Sequence, residues 1–244
     1  MRMRKKKHAD ERLAACAKYL MKAPVSPFSN PSSAMERENT PVWLEIGAGK
    51  GGFACEMARR NPDVAYFAME RVGDCVVLGA ERAMTTDLKT DNLRFMIENA
   101  DNLAFIFGKG TVDRIFLNFS DPWSKKGYAK RRLTHKRYLA LYSYLLKDGG
   151  KLTFKTDNDG LFEFSLEEVS EIGITLDKMT RDLHASEWAD GNVMTEYETA
   201  FSSQGVKINM LEFTKPEGFS LPLPEEFSLD RKSYGDRENG TEAE

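Results

Sequence analysis

Cysteine and histidine are scarce, with three of each among 244 residues. No two cysteines form a CxxC pair and the histidines are scattered, so the chain has neither a disulfide framework nor a zinc-ligand set, and no metal is expected. Cys16, Cys55 and Cys75 fall in helix-like apolar patterns and read as buried thiols. No apolar run approaches the roughly twenty residues of a membrane span. The basic start lacks the apolar core of a signal peptide, so a cytoplasmic protein is expected. Excess positive charge is also lacking: the formal net charge is -3 and the isoelectric point about 5.8. A surface that binds nucleic acid everywhere is thereby excluded, and any such contact has to be local.

The chain does have enough apolar sequence, 41% of its residues, for one α/β domain with a large core. Val42 to Ile46 is a strand pattern that runs into Gly47-Ala48-Gly49-Lys50-Gly51-Gly52, after which Phe53, Met57 and Ala58 give helical spacing. Glycines there let a backbone approach a ligand closely, while the free N–H groups of the helix face it. Strand, glycine turn and helix suit NAD, FAD and S-adenosylmethionine (SAM) alike. An acid at the end of the second strand suits NAD and SAM alike, and the residue that favours SAM is Glu45. A second strand, Val64 to Met69, ends at Glu70, where an acid can take both ribose hydroxyls of an adenosine ligand. Glu45 puts a charge two residues before the first glycine, where a dinucleotide fingerprint carries an apolar residue, and a carboxylate there suits the amino-acid end of SAM. The spacing of Gly47, Gly49 and Gly51 is also GxGxG rather than GxGxxG.

A third strand at Leu93 to Ile97 leads to Glu98-Asn99-Ala100-Asp101, a polar end that reads either as a contact to an adenine edge or as a helix N-cap. The apolar run Ile115 to Phe119 reads as a buried strand ending at Asp121, stopped by Pro122. An acid, a proline and Trp123 at a strand's carboxyl end suggest a ligand site, with an Asx-type turn as the plainer reading. Lys125, Lys126, Lys130, Arg131, Arg132, Lys136 and Arg137 follow within thirteen residues that hold no acid. Solvated helix faces normally mix signs, so the run reads as a polyanion contact. His135 to Lys147 has a helical face capped by Asp148-Gly149-Gly150, and His135 reads as an ordinary helix start. After the strand Lys151 to Lys155, Asp157 is either a helix cap or a ligand group. Late strand patterns near residues 174–183 and 206–213 flank a polar loop, His184 to Glu198, that ends in Thr195-Glu196-Tyr197-Glu198.

At the termini, Met1 to Arg12 is a basic arm by composition, or equally a solubilising terminus, and a proline-rich linker follows to Pro41. The expected division is residues 1–41 as arm and linker, 42–216 as the folded domain, and 217–244 as a flexible tail with eight carboxylates against three cations.

Together, Asn118-Phe119-Ser120-Asp121-Pro122-Trp123, Lys125-Lys126, Lys130-Arg131-Arg132-Leu133, Phe154-Lys155-Thr156-Asp157 and Thr195 to Glu198 resemble the bacterial tRNA (guanine-N7-)-methyltransferase family, in that family's order and approximate spacing. The resemblance implies a Rossmann-like, seven-stranded class I SAM-dependent methyltransferase fold. It further implies a tRNA substrate, methylated at guanine 46 of the variable loop. On the cofactor side it implies Glu45, Gly47, Gly49, Gly51, Glu70, Asn99 and Asp121, with Asp121 catalytic. On the substrate side it implies Lys125, Asp157, Thr195, Glu196, Tyr197 and Glu198. For RNA contact it implies Gly127, Tyr128, Ala129, Lys130, Arg131 and Arg132. The chain departs from the family with Ser124 after the Trp and Gly127-Tyr128 where the family has Arg-His. The missing imidazole argues against proton handling there, while Tyr128 is a ring that can stack on a base. Monomer and homodimer are both compatible with the sequence.

Two other functions compete. An exocyclic-amine methyltransferase would use Asp-Pro-Trp much as those enzymes use Asp/Asn-Pro-Pro-aromatic, but the basic run favours a large polyanionic substrate. A non-catalytic RNA-binding protein would leave Glu45, Glu70 and Asp121 as acids with no task in a basic site. Cytosine C5 methylation needs a thiolate, and no cysteine lies at a strand-end loop.

Overall fold

The computed structural model describes residues 7–88 and 91–227. Its centre is one sheet in the order β3-β2-β1-β4-β5-β7-β6. The strands are β1 (Val42–Ile46), β2 (Ala65–Glu70), β3 (Leu93–Ile97), β4 (Val112–Asn118), β5 (Leu146–Thr156), β6 (Leu176–Thr180) and β7 (Asn209–Thr214). Pairs from β3 to β5 are parallel, and β7 enters antiparallel between β5 and β6. The expected seven-stranded α/β fold is therefore present.

Helices cover both faces, as parallel strands buried on two sides require. On one face Leu44, Ile115, Leu117, Leu152 and Phe154 share a core with α4 (Leu103–Ile106), α5 (Lys136–Leu145) and α6 (Asp159–Glu171). On the other, Tyr66, Ala68 and Phe95 pack beneath α2 (Gly52–Arg60) and α3 (Gly73–Thr85). The sheet order reverses between β1 and β4, which brings the turns after those two strands side by side at the carboxyl edge.

Four expectations are corrected here. Residues before Val42 are not a linker. The helix α1 (Ala9–Ala15) ties to α3 through Arg12 and Glu81, Cys16 and Met35 are buried in the two cores, and Leu20 and Phe28 bridge to Phe95 and Phe107. Apolar side chains spaced among the prolines anchor a segment that has little regular structure of its own. The range 217–227 is likewise packed, since Phe227 is fully buried against Tyr138. Residues 1–6 and 228–244, to which most of the basic arm and the acidic tail belong, lie outside the described residues. Asp148 to Gly150 do not cap α5, because β5 already begins at Leu146. Cys75 is half-buried, not buried.

Candidate functional site

The first turn of the site is built on glycine. Gly47 and Gly49 have φ of +83° and +54°, and a Cβ added at either would meet nothing within 4 Å. Both therefore border an open cradle that a side chain would fill. Gly51 differs: its Cβ would lie 2.7 Å from Phe95 and 2.8 Å from the Gly79 Cα. Gly51 lets α2 and α3 close over β3, a packing role where a cofactor contact was expected.

Under the cradle lies Glu45, with about 1% of its surface exposed. Asn118 Nδ2 donates to its Oε1 at 3.0 Å, and Tyr66 Oη donates to Oε2 at 3.5 Å. Burial pushes this carboxyl up to about 7, although the Asn118 hydrogen bond, the Lys155 charge and Tyr66 pull the other way. Glu70, at the end of β2, accepts from the Gly49 N–H at 3.1 Å and from the Val72 N–H at 2.9 Å. Val72 and Ile97 are exposed although apolar, and they stand at the same edge as Glu70. Asn99 caps a single turn of 3-10 helix by accepting from the Asp101 N–H, so the N-cap reading describes its side chain here. The adjacent Glu98 is buried, its Oε1 accepting from the Asn99 N–H and Asn102 Nδ2.

The turn after β4 carries the exposed Asp121. The strand stops at Asn118, not at Asp121, because Phe119 turns to φ +52°; Trp123 follows at +42°. Each such conformation costs a non-glycine residue roughly 1–2 kcal/mol. Neighbouring contacts hold both. The Phe119 N–H donates to the Lys155 carbonyl at 2.9 Å, and the Phe119 ring packs on Tyr197. Arg132 donates to the carbonyls of Pro122 and Trp123 at 2.9 and 3.2 Å. Strain of this kind is concentrated at functional sites, where the surroundings over-determine it. Ser120 Oγ is buried beside Asp121 and has no hydrogen-bond partner among the described residues.

The cationic run divides. Lys125, Lys126, Lys130 and Arg131 are exposed, with the Arg131 guanidinium against the rings of Trp123 and Tyr128 at 4.9 and 4.7 Å. Gly127 and Ala129 belong to the same 3-10 turn, Lys126–Arg131. Arg132, expected to touch RNA, is instead taken up by the Asp121 turn and stacks on Phe164. Arg137 is held by the Lys130 carbonyl, Asp101 and Glu226, and Lys136 by Glu171.

Beyond β5, Asp157 borders a cleft of about 390 Å³ with Asp159, Arg181, Asp182, Val206 and Lys207. The segment 184–198, expected to be a loop, ends in the helix α7 (Glu196–Ser202), for which Thr195 and Glu198 form a capping box. Glu196 pairs with Arg82 of α3 across the start of α2. Tyr197 is exposed, yet its ring lies between those of Phe119 and Phe201. Glu198 is not presented to a substrate as expected: it is fully buried on Lys155, His184 and Asn192 at 2.6, 2.8 and 2.6 Å. Lys155, His184, Asn192 and Phe119 were given no role on sequence grounds. No comparable signal marked Lys155, because its strand also carries Lys147, Asp148 and Lys151, whereas Glu45 is the one charge in β1.

The comparisons with known proteins bear on this geometry. Residues 39–211 match a family model described as "Putative methyltransferase". A protein from Geobacillus sp. (strain WCH70), called tRNA (guanine-N(7)-)-methyltransferase, is 40% identical over 216 residues, which cover 88% of this chain and 96% of that one. The chain belongs to the tRNA (guanine-N7-)-methyltransferase family. Its fold is also that of two more distant solved structures. The 16S rRNA methyltransferase KamB is 16% identical with a TM-score of 0.57, over 81% of this chain and 99% of that one. A structure titled as an antibiotic-related methyltransferase is 15% identical with a TM-score of 0.52, over 88% and 96%.

As in SAM-dependent enzymes of this family, the cofactor of the chain is SAM, and the residues present suit it. The open glycine cradle leaves space for a ligand against the backbone, and Glu45 below it is a carboxyl that a ligand ammonium would ionise. Glu70 offers a carboxylate beside the cradle that could accept from a ribose, and Val72 and Ile97 offer apolar surface that suits a base.

Proposed function

We propose that the chain methylates N7 of a guanine in tRNA, at position 46 of the variable loop, in the cytoplasm. The observation that carries this reading is the setting of Asp121. An exposed carboxylate stands on a strained turn at the sheet's carboxyl edge, between the glycine cradle and the exposed cations Lys125, Lys126, Lys130 and Arg131. The name of the 40% identical relative supports the substrate.

When bound, SAM supplies an electrophilic methyl group on a sulfonium. Guanine N7 carries an in-plane lone pair and loses no proton, so the chain's residues have to orient and stabilise, with no general base required. Glu45, Glu70 and the turn at Gly47 and Gly49 hold the cofactor. Asp121 accepts hydrogen bonds from the base or the cofactor's amino group, and its charge favours the purinium as it develops. Lys125, Asp157 and Thr195 to Tyr197 hold the guanine, while Lys126, Lys130 and Arg131 take phosphates. Fixing the base in line with the methyl group is worth several kcal/mol, because the encounter becomes intramolecular.

The test is to incubate the protein with labelled SAM and unmodified tRNA and to identify the labelled nucleoside and its position by mass spectrometry. The expected product is 7-methylguanosine at position 46. Asp121→Asn keeps hydrogen bonding but removes the charge, and should lower turnover by roughly 100-fold with tRNA affinity nearly intact. A methyl group on an exocyclic amine, or full activity in Asp121→Asn, overturns the reading in favour of an amine methyltransferase.

A further inference from the structure

The Lys155 side chain is only 3% exposed, and its ammonium lies where several parts of the site meet. It can donate three hydrogen bonds, and three acceptors surround it: Asn192 Oδ1 at 3.0 Å, the Val193 carbonyl at 2.9 Å and Glu198 Oε2 at 2.6 Å. All three belong to residues 192–198. The ammonium also stands 5.1 Å from the centre of the Phe53 ring, in the first turn of the helix after the glycine turn. Across the ladder Lys155 is the partner of Asn118, which donates to Glu45. Its own carbonyl fixes the N–H of Phe119, the residue whose positive φ starts the Asp121 turn. One residue thus ties the Asp121 turn through its backbone and the 192–198 segment through its side chain.

A buried ion pair is a weak source of stability, since desolvation offsets much of its attraction, and its best attested use is to fix register. Ionised partners accept few alternative arrangements in an apolar surrounding. We propose that Lys155 is a positioning residue that sets the 192–198 segment in register with the Asp121 turn, so that its ammonium acts on the methyl-transfer rate through the seating of Thr195 to Tyr197, not through tRNA affinity. The inference rests on the reading of Asp121 as the group beside the reacting base. Glu198, His184 and Asn192 form the other half of the clamp: Glu198 Oε1 accepts from Asn192 Nδ2 and meets His184 Nε2, so the carboxylate is engaged on both oxygens.

The experiment compares wild type, Lys155→Met and Asn192→Ala in the full chain. Amide hydrogen exchange in the absence of SAM and tRNA should speed up at residues 192–198 in both variants and stay unchanged in β1 to β4. With SAM and unmodified tRNA, kcat should fall by roughly 100-fold in Lys155→Met, the scale of a misplaced reacting group. The tRNA Kd and the KM for SAM should each change by less than about threefold, which separates loss of positioning from loss of binding. Asn192→Ala should fall between wild type and Lys155→Met in both readouts. Should Lys155→Met fail to fold, Asn192→Ala decides on the same two measurements. Unchanged exchange at 192–198 overturns the proposal, and so does an activity loss that appears wholly as weaker tRNA binding. A wild-type protein that makes no 7-methylguanosine overturns the functional reading instead, and the exchange result still decides whether Lys155 is the clamp.

Discussion

Glu45 and Glu198 are both carboxylates with almost no exposed surface, and the Lys155 charge acts on both, yet their surroundings shift them in opposite directions. Around Glu45 the hydrogen-bond donors are neutral, Asn118 and Tyr66, and burial pushes its carboxyl up to about 7. Around Glu198 burial acts in the same direction, but the Lys155 ammonium, His184 and Asn192 together outweigh it and hold the carboxyl below its usual range. Glu198 already has its cation. Glu45 has none in hydrogen-bond contact among the described residues. Two buried acids, one beneath the glycine turn and one in the 192–198 segment, are thus told apart by the charge of their partners, not by their burial.

The largest expected effect tests the satisfied member. Glu198→Ala leaves the Lys155 ammonium buried with no counter-charge, which should cost about 3–5 kcal/mol of stability, read as a lowered midpoint in denaturant unfolding. An undiminished midpoint would mean that Lys155 is not held by this carboxylate. Because its folded-state carboxyl lies below the usual range, Glu198 contributes fully at neutral pH and loses its contribution only as pH falls through that lowered value.

Glu45 should behave the other way. Its folded value is raised, so its contribution is complete below the ordinary carboxyl range, near 4.5, and is lost as pH rises through about 7. Ligand-free Glu45→Gln should therefore match wild type at pH 4.5 and exceed it by about 3 kcal/mol at pH 8, measured by unfolding at both values. The same variant should bind SAM more weakly in calorimetry. Equal stability at pH 8 would place Glu45 in a wetter or more cationic setting than the structure shows.

A smaller effect separates the glycines of the turn after β1. Gly51→Ala drives a methyl group into Phe95 and the Gly79 backbone, and overpacking of this kind costs about 1–3 kcal/mol in addition to the strain of its positive φ. Gly47→Ala meets no atoms, and should be the more stable variant in thermal melts while losing SAM affinity.

The smallest effect concerns the cations. Arg131→Ala should reduce the slope of log tRNA affinity against log salt by about 0.7–0.9, one phosphate contact. Arg132→Ala should leave the slope unchanged and lower the melting temperature, because its guanidinium holds the Asp121 turn. Equal slopes for both variants would make the exposed half of the run mere solvated surface.

The local parts of this protein were readable from its sequence. Period-two and apolar patterns located β1 and β3, the glycines fixed a strand-turn-helix entrance, and a charge inside an apolar strand marked Glu45. These signals are local because hydrogen-bonding geometry and backbone sterics act within a few residues. Which charges remain available could not be read the same way. Lys130 and Arg132 are two positions apart in one basic run, yet one is exposed and the other is bound to the carbonyls of Pro122 and Trp123. Thr195 to Glu198 has no apolar periodicity, and its T-x-x-E spacing is a local sign of the capping box that starts α7, but the lysine that seats its carboxylate lies forty-three residues away. Glu45 and Glu198 look alike as letters. Tertiary structure decided between them, because the energy of a buried charge depends on what the fold brings within hydrogen-bond reach, and Asn118 for Glu45 and Lys155 for Glu198 come from seventy-three and forty-three residues away.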